Sequence, residues 1–242
     1  KARSHTLLGC YSNFTFLKGA SHPDEMVATA AALGWSTIGI ADVNSLAGIV
    51  RAHVAARDHH IRLLVGARLR PVDGPDVLVH PCDREGYEGL SMLLSEANMR
   101  GSKAAPVLYL ADLARLPEST ALLVMPPRHP DACYQAYLDK ILQIAKGQIF
   151  AGICLYRDGA DAARCQMLDA LANALGLRVA AAADALVQAA PAEPYDPRQK
   201  MLEQMAVPME VTKDAGGPSG GDAPPAEVPS FIESSFSTKV EY

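Results

Sequence analysis

The sequence predicts an α/β fold built from repeated strand–helix units. Three observations carry that expectation. Apolar runs of strand length alternate with stretches of helical spacing from the start to about Ala182. Glycine, proline and capping residues punctuate the joins. Alanine is abundant, which suits close-packed helices, and 242 residues can bury a core without disulfides or metals.

His5–Cys10 is the first predicted strand. A helix start follows: Ser21 can cap, Pro23 sits where its missing N–H does no harm, and Asp24 and Glu25 suit the positive helix end. That helix runs to about Leu33, and Gly34 stops it. Ser36–Ala41 is a short buried strand. Leu46, Ile49, Val50, His53, Val54 and Arg57 then mark one face of a second helix. Ile61–Leu69 and Val77–His80 are strands joined by the turn Asp73-Gly74-Pro75.

Asp83–Met99 returns to helical spacing through Tyr87, Leu90, Leu94 and Ala97. Thr120–Met125 is a strand ended by Pro126 and Pro127. Ala132–Ala145 is a helix with Tyr134, Leu138, Ile141 and Leu142 inward. Ile149–Leu155 is a strand, and Ala163–Leu175 a helix aligned on Arg164, Leu168, Leu171 and Leu175. Arg178–Ala182 is the last strand. Such alternation predicts a mostly parallel sheet, either closed as a barrel or open and doubly wound.

Three segments divide the chain. Residues 1–190 form the domain, 191–212 a linker or short helix, and 213–242 a low-complexity Gly/Pro stretch expected to be a flexible tail. Five scattered cysteines with no CxxC pair argue for a reducing, cytoplasmic setting and against both a disulfide framework and a zinc site. No apolar run approaches the roughly 20 residues of a membrane span. A net charge of −5 lacks the basic footprint of a nucleic-acid binder. The local exception is Arg51, Arg57, Arg62, Arg68 and Arg70, either a solvated stripe or a phosphate-facing patch in which Arg51, Arg57 and Arg62 are the candidate contacts. Neither a GxGxxG nor a GxxxxGK[ST] follows a strand, so dinucleotide and P-loop readings are weak.

In parallel sheets and barrels, sites form at the carboxyl ends of the strands. Four segments there, in order, are SNFTFLKGASHP (Ser12–Pro23), GIADVNSLAGIVRAHVAA (Gly39–Ala56), RLLVGARL (Arg62–Leu69) and LVHPCDREGYEGLSMLL (Leu78–Leu94). Weaker echoes are Tyr109–Leu113, Leu155–Arg164 and the strand before Asp184. Together they resemble the polymerase and histidinol phosphatase (PHP) domain, and more closely the PHP domain at the start of bacterial C-family DNA polymerase α subunits, error-prone branch. The resemblance covers about residues 5–190 and implies a distorted (β/α)7 barrel.

It also implies a chemistry. An intact PHP site holds two or three divalent ions with His, Asp and Glu side chains, and these ions generate hydroxide and clamp a phosphate. Here the His-x-His positions fall on Gly9 and Tyr11, which would share one strand face. The Asp-His pair reads Asp42-Val43, the expected glutamate is Arg68, and Asp184 has Gln188 where a histidine would follow. His80 lies near a further strand end. Asp42, His80 and Asp184 are therefore the remaining metal candidates. Zinc or manganese is expected only if the chain is a metal-dependent phosphoesterase or 3′–5′ exonuclease. The leading expectation is a degenerate structural or interaction domain of an error-prone, translesion polymerase in replication and repair. Its partners would be a polymerase core in the same polypeptide, DNA and accessory mutagenesis proteins, with no membrane. Arg68 would serve as counter-charge to Asp42 or Asp184.

Blander readings accompany several residues. His53 reads as a core or interface histidine, and His59-His60 as helix-end cations. His22 belongs to the helix entry, and Phe14 and Phe16 pack by default. Asn44 caps the following helix, Asp42 either caps it or is a relic ligand, and Cys10 is a remote candidate nucleophile.

Overall fold

The computed structural model describes residues 6–101 and 105–182. Asp184, Gln188, the linker or helix expected over 191–212 and the tail expected over 213–242 lie outside the described residues.

Seven strands form one sheet in chain order: β1 (Thr6–Cys10), β2 (Thr37–Val43), β3 (Arg62–Leu69), β4 (Val77–Pro81), β5 (Thr120–Val124), β6 (Gln148–Ile153) and β7 (Arg178–Ala181). The helices are α1 (Pro23–Ala32), α2 (Ile49–Asp58), α3 (Arg84–Arg100), α4 (Ala132–Ile144) and α5 (Asp161–Ala174), with a 3-10 helix at Leu110–Arg115. The elements fall where periodicity placed them. The 3-10 helix, which sequence spacing did not reveal, begins as Leu110 N donates to Asp73 Oδ1 at 2.7 Å.

The β1–β2–β3 and β5–β6–β7 pairings are parallel, but β4 is antiparallel to both neighbours. The Asp73-Gly74-Pro75 turn is the cause. A short turn returns a strand only as a hairpin, whereas a parallel return needs a crossover of a dozen or more residues. Among the described residues β1 and β7 are the sheet's edges. The sheet still curls strongly: Leu8 of β1 and Ala180 of β7 line one small interior cavity with His80, Ala121, Leu123 and Phe150.

Side-chain alternation gives the curl an inside and an outside. Outward residues of β1–β3 pack on α1 and α2, through Cys10, Met26, Val27, Ile38, Ile40 and Ile49. Outward residues of β3–β5 pack on α3, the 3-10 helix, α4 and α5. The concave face holds Ala41, Leu78, Ala121, Leu123, Met125, Phe150, Cys154 and Ala182.

Two local expectations are corrected. The cap of α1 is His22, not Ser21, and its backbone N–H donates to Glu25 Oε2 at 2.9 Å. The buried face of α2 is Ile49, Ala52, Ala55 and Ala56, while Val50, His53 and Val54 are exposed. Alanines let α2 approach α1 and the sheet closely, and the bulkier residues that marked the periodicity fall on the solvent side.

Gly66 on β3 is required by close approach. A Cβ there would stand 2.5 Å from His80 Nδ1. Gly66→Ala is expected to cost about 1–3 kcal/mol as an overpacked interior contact, read as a lower urea midpoint with an unchanged m value.

Candidate functional site

The concave face at the carboxyl ends of the parallel strands is the mouth of the fold. Its described residues are set strand by strand. On β1 the register slips between Leu7 and Cys10, and Gly9 has φ 76. This bulge interrupts the simple alternation on which a shared face for Gly9 and Tyr11 was expected. Cys10 turns outward into the α1–α2 core, and Tyr11 turns toward Arg68. The Cys10 thiol is fully buried, and burial pushes its pKa up to about 12, which leaves it a packing residue and no nucleophile.

Val43 and Arg68 are register partners on β2 and β3. Arg68 is buried, at 4% exposure. Its Nε lies 2.8 Å from Asp76 Oδ2, and its guanidinium carbon lies 5.1 Å from the Tyr11 ring centroid. Lys18 stands over the same ring at 5.7 Å. Asp76 also receives Arg70 through Nε and a terminal nitrogen, both at 3.2 Å. The mouth is thus occupied by a Tyr11–Arg68–Asp76 cluster. Arg68 was expected to face Asp42 or Asp184; among the described residues it pairs with Asp76, and Asp184 lies outside them. The antiparallel β3–β4 hairpin explains this by returning Asp76 beside Arg68 and Arg70. The sequence signal was Asp76, the acidic residue directly after the Asp73-Gly74-Pro75 turn.

Asp42 points away from the mouth. It shares its face of β2 with Ile38 and Ile40, and it is 1% exposed. One carboxylate oxygen accepts from Ser12 N (2.7 Å) and Thr15 Oγ1 (2.6 Å), and the other accepts from Ser12 Oγ (2.7 Å). Asp42 therefore anchors the β1–α1 loop. It does not cap α2, whose N-cap is Gly48 with no side-chain bond. Asn44 does not cap either. At φ 49 it ties β2 to β3, donating its N–H to Arg68 O and accepting from Arg70 N, both at 2.9 Å.

His80 lies deep in the concave interior. Because β4 runs backwards, the carboxyl end of β4 meets the start of β5, with Pro81 opposite Thr120. His80 Nδ1–H donates to Val65 O at 2.9 Å; the ring lines the small apolar cavity, and Nε2 has no hydrogen-bond partner among the described residues. Burial lowers its pKa below the ordinary 6.5. The unfolded chain then binds a proton that the folded chain refuses. Stability is full above pH 6.5 and falls as the pH drops below it. Urea midpoints measured at pH 7.5 and pH 5 should show that loss, and His80→Gln should shrink the difference.

The candidate phosphate contacts spread apart. Arg51, on α2, pairs with Asp24 at 3.2 Å, and Arg57 lies 3.6 Å from Asp58 near the other end of α2. Arg62 opens β3, six residues from Arg68, a separation of roughly 20 Å along a strand. His22 Nδ1 accepts from the Asn13 amide at 2.9 Å at the entry of α1. A second buried cation lies at the far side of the mouth. Arg164 bonds Asp158 (2.8 Å), Asp161 (2.6 Å) and Arg128 O (2.9 Å), tying the loops after β5 and β6. Its place on the apolar face of α5 was the sequence signal. A cleft of about 480 Å³ beside the cluster is lined by Arg68, Asp76, Arg128, Tyr137 and Tyr156 among others.

Among the described residues no group of three or more His, Cys, Asp or Glu side chains stands close enough to hold a metal ion. The donor chemistry of the described mouth does not fit a divalent ion. A cation there would meet the guanidinium of Arg68 and share one carboxylate that already serves two arginines.

This curled α/β sheet with its site at the strand ends defines a class. A model of the PHP domain matches residues 8–179, and the chain belongs to that family. The curated relatives it resembles are error-prone DNA polymerases. The error-prone DNA polymerase of Rhodopseudomonas palustris (strain BisB5) is 39% identical over 178 residues, covering 71% of this chain and 16% of that protein. The one from Dechloromonas aromatica (strain RCB) is 36% identical over 182 residues, covering 73% of this chain and 17% of that protein. The chain thus spans about a sixth of the length of the relatives it matches. The solved structure of a candidate metal-dependent phosphoesterase from Bifidobacterium adolescentis superposes with a TM-score of 0.60 at 15% identity, covering 83% of this chain and 95% of that one. An amidohydrolase from Chromobacterium violaceum gives 0.55 at 14% identity, covering 83% and 96%. Among the described residues no helix is long and apolar enough to cross a membrane.

Proposed function

We propose that this chain is the PHP portion of an error-prone DNA polymerase and acts as a structural and interaction domain, its metal-dependent hydrolysis lost. The observation that carries this reading is Arg68. A buried guanidinium, paired with Asp76 and stacked on Tyr11, stands where the family resemblance expects a glutamate ligand. An arginine has no lone pair to offer a metal and carries the charge the metal would bring. Gly9 and Val43 add no donor, and Asp42 is committed to the β1–α1 loop.

On this reading the domain works in the cytoplasm, within or beside a polymerase core that copies damaged template during replication and repair. DNA and accessory mutagenesis proteins are its further partners, and nucleotidyl transfer is left to residues elsewhere in such a polymerase. Polymerase kinship is supported by identities of 36–39% over about 72% of the chain.

A hydrolysis assay tests the loss of chemistry. The purified chain, given manganese or zinc, should leave a single-stranded oligonucleotide and a simple phosphomonoester uncut at the level of buffer. Manganese-dependent shortening from the 3′ end would instead make the domain a PHP exonuclease.

A further inference from the structure

Two adjacent large apolar side chains stand almost fully in solvent. Phe16 is 85% exposed and Leu17 is 91% exposed, at the tip of the loop between β1 and α1. Phe14, two residues earlier, is half-exposed. The packing role expected for Phe16 therefore fails within this fold.

The loop that carries them is held firmly. The buried Asp42 carboxylate accepts hydrogen bonds from Ser12 and Thr15 on the rising side. Thr15 Oγ1 also accepts from Val43 N at 3.0 Å. Thr15 O then accepts from Lys18 N (3.1 Å) and Gly19 N (2.9 Å), closing the turn. A Cβ on Gly19 would collide with the Ser12 carbonyl, so only glycine permits that closure. Leu17 sits at φ 64, a conformation unfavourable for leucine. The fold commits a buried carboxylate and a strained residue to presenting two apolar side chains to water. Scattered exposed apolar residues are ordinary, but a rigid adjacent pair is a preorganised contact.

Resting on the polymerase reading above, we infer that Phe16 and Leu17 are the anchor by which this domain docks on the polymerase region that accompanies it in its relatives. The matched segment is only 16–17% of those proteins, so most of each relative's polypeptide is available to meet it. A second copy fits less well. Two side chains bury far less than the roughly 800 Å² per partner of a stable dimer. They suit a hot spot seated in an apolar pocket within a wider contact.

The test uses the full 242-residue chain and the Rhodopseudomonas palustris error-prone polymerase lacking its own 178 matched residues. Binding is measured by interferometry for the wild type, Phe16→Ser and Leu17→Ser, with melting curves confirming that both variants and the truncated polymerase are folded. The expected result is a wild-type complex weakened at least tenfold by either substitution. Equal binding by all three overturns the anchor and leaves the polymerase reading standing. No wild-type binding at all overturns both. A wild-type homodimer in sedimentation that dissociates in either variant overturns the assigned partner in favour of a second copy.

Discussion

Asp42→Ala is expected to lose on the order of 3–5 kcal/mol, a large share of the roughly 5–15 kcal/mol that holds a domain together. The carboxylate is buried, and three donors converge on it from Ser12 and Thr15. Alanine leaves the Ser12 N–H and the hydroxyl protons of Ser12 and Thr15 without their acceptor where water is excluded, which adds desolvation to the lost bonds. The β1–α1 loop should loosen first, so its amides should exchange faster than those of β2 and β3. Asp42→Asn keeps the shape and one good acceptor, and should lose less. Chemical denaturation with hydrogen exchange checks both parts. An alanine variant as stable as the wild type would show that this network does not support the fold.

Arg68→Glu is the second large effect, also on the order of 3–5 kcal/mol. It removes the cation that faces Asp76 and the Tyr11 ring and sets a buried carboxylate beside Asp76. Like charges in that setting repel strongly. Arg68→Met should be milder, since Arg70 still holds Asp76 through two contacts of 3.2 Å. The ordering is Glu well below Met, and Met below wild type, in thermal or urea midpoints. The glutamate variant carries added weight because it restores the side chain that the family resemblance expects. If it were stable and took up metal, the mouth would be a site one substitution away from use.

Most of the fold was legible because alternation and helical spacing are local. Strands with apolar runs and helices such as α3 and α4 declare themselves within a dozen residues. What was not legible depended on partners distant in sequence or on direction. The inward face of α2 was misjudged because Val50 and Val54 outweigh alanines on any hydrophobic scale, while packing against α1 favours the smaller residues. His80 was placed at a strand end correctly, but the reversal of β4 moves that end away from the mouth. Asp42 could be read as ligand or cap, and its real partners lie 27 to 30 residues earlier. The expected partners of Arg68 were Asp42 and Asp184, and only the hairpin register brings Asp76 beside it.

We propose that the arginine–aspartate–tyrosine cluster at the mouth of this PHP domain takes the place of a metal centre. Elemental analysis tests it most directly. The purified 242-residue chain would be equilibrated with excess manganese or zinc, desalted and measured for metal per chain. The account predicts far less than one equivalent of either ion. One or more equivalents, retained in wild type and lost when Asp76 is replaced by asparagine, would contradict it.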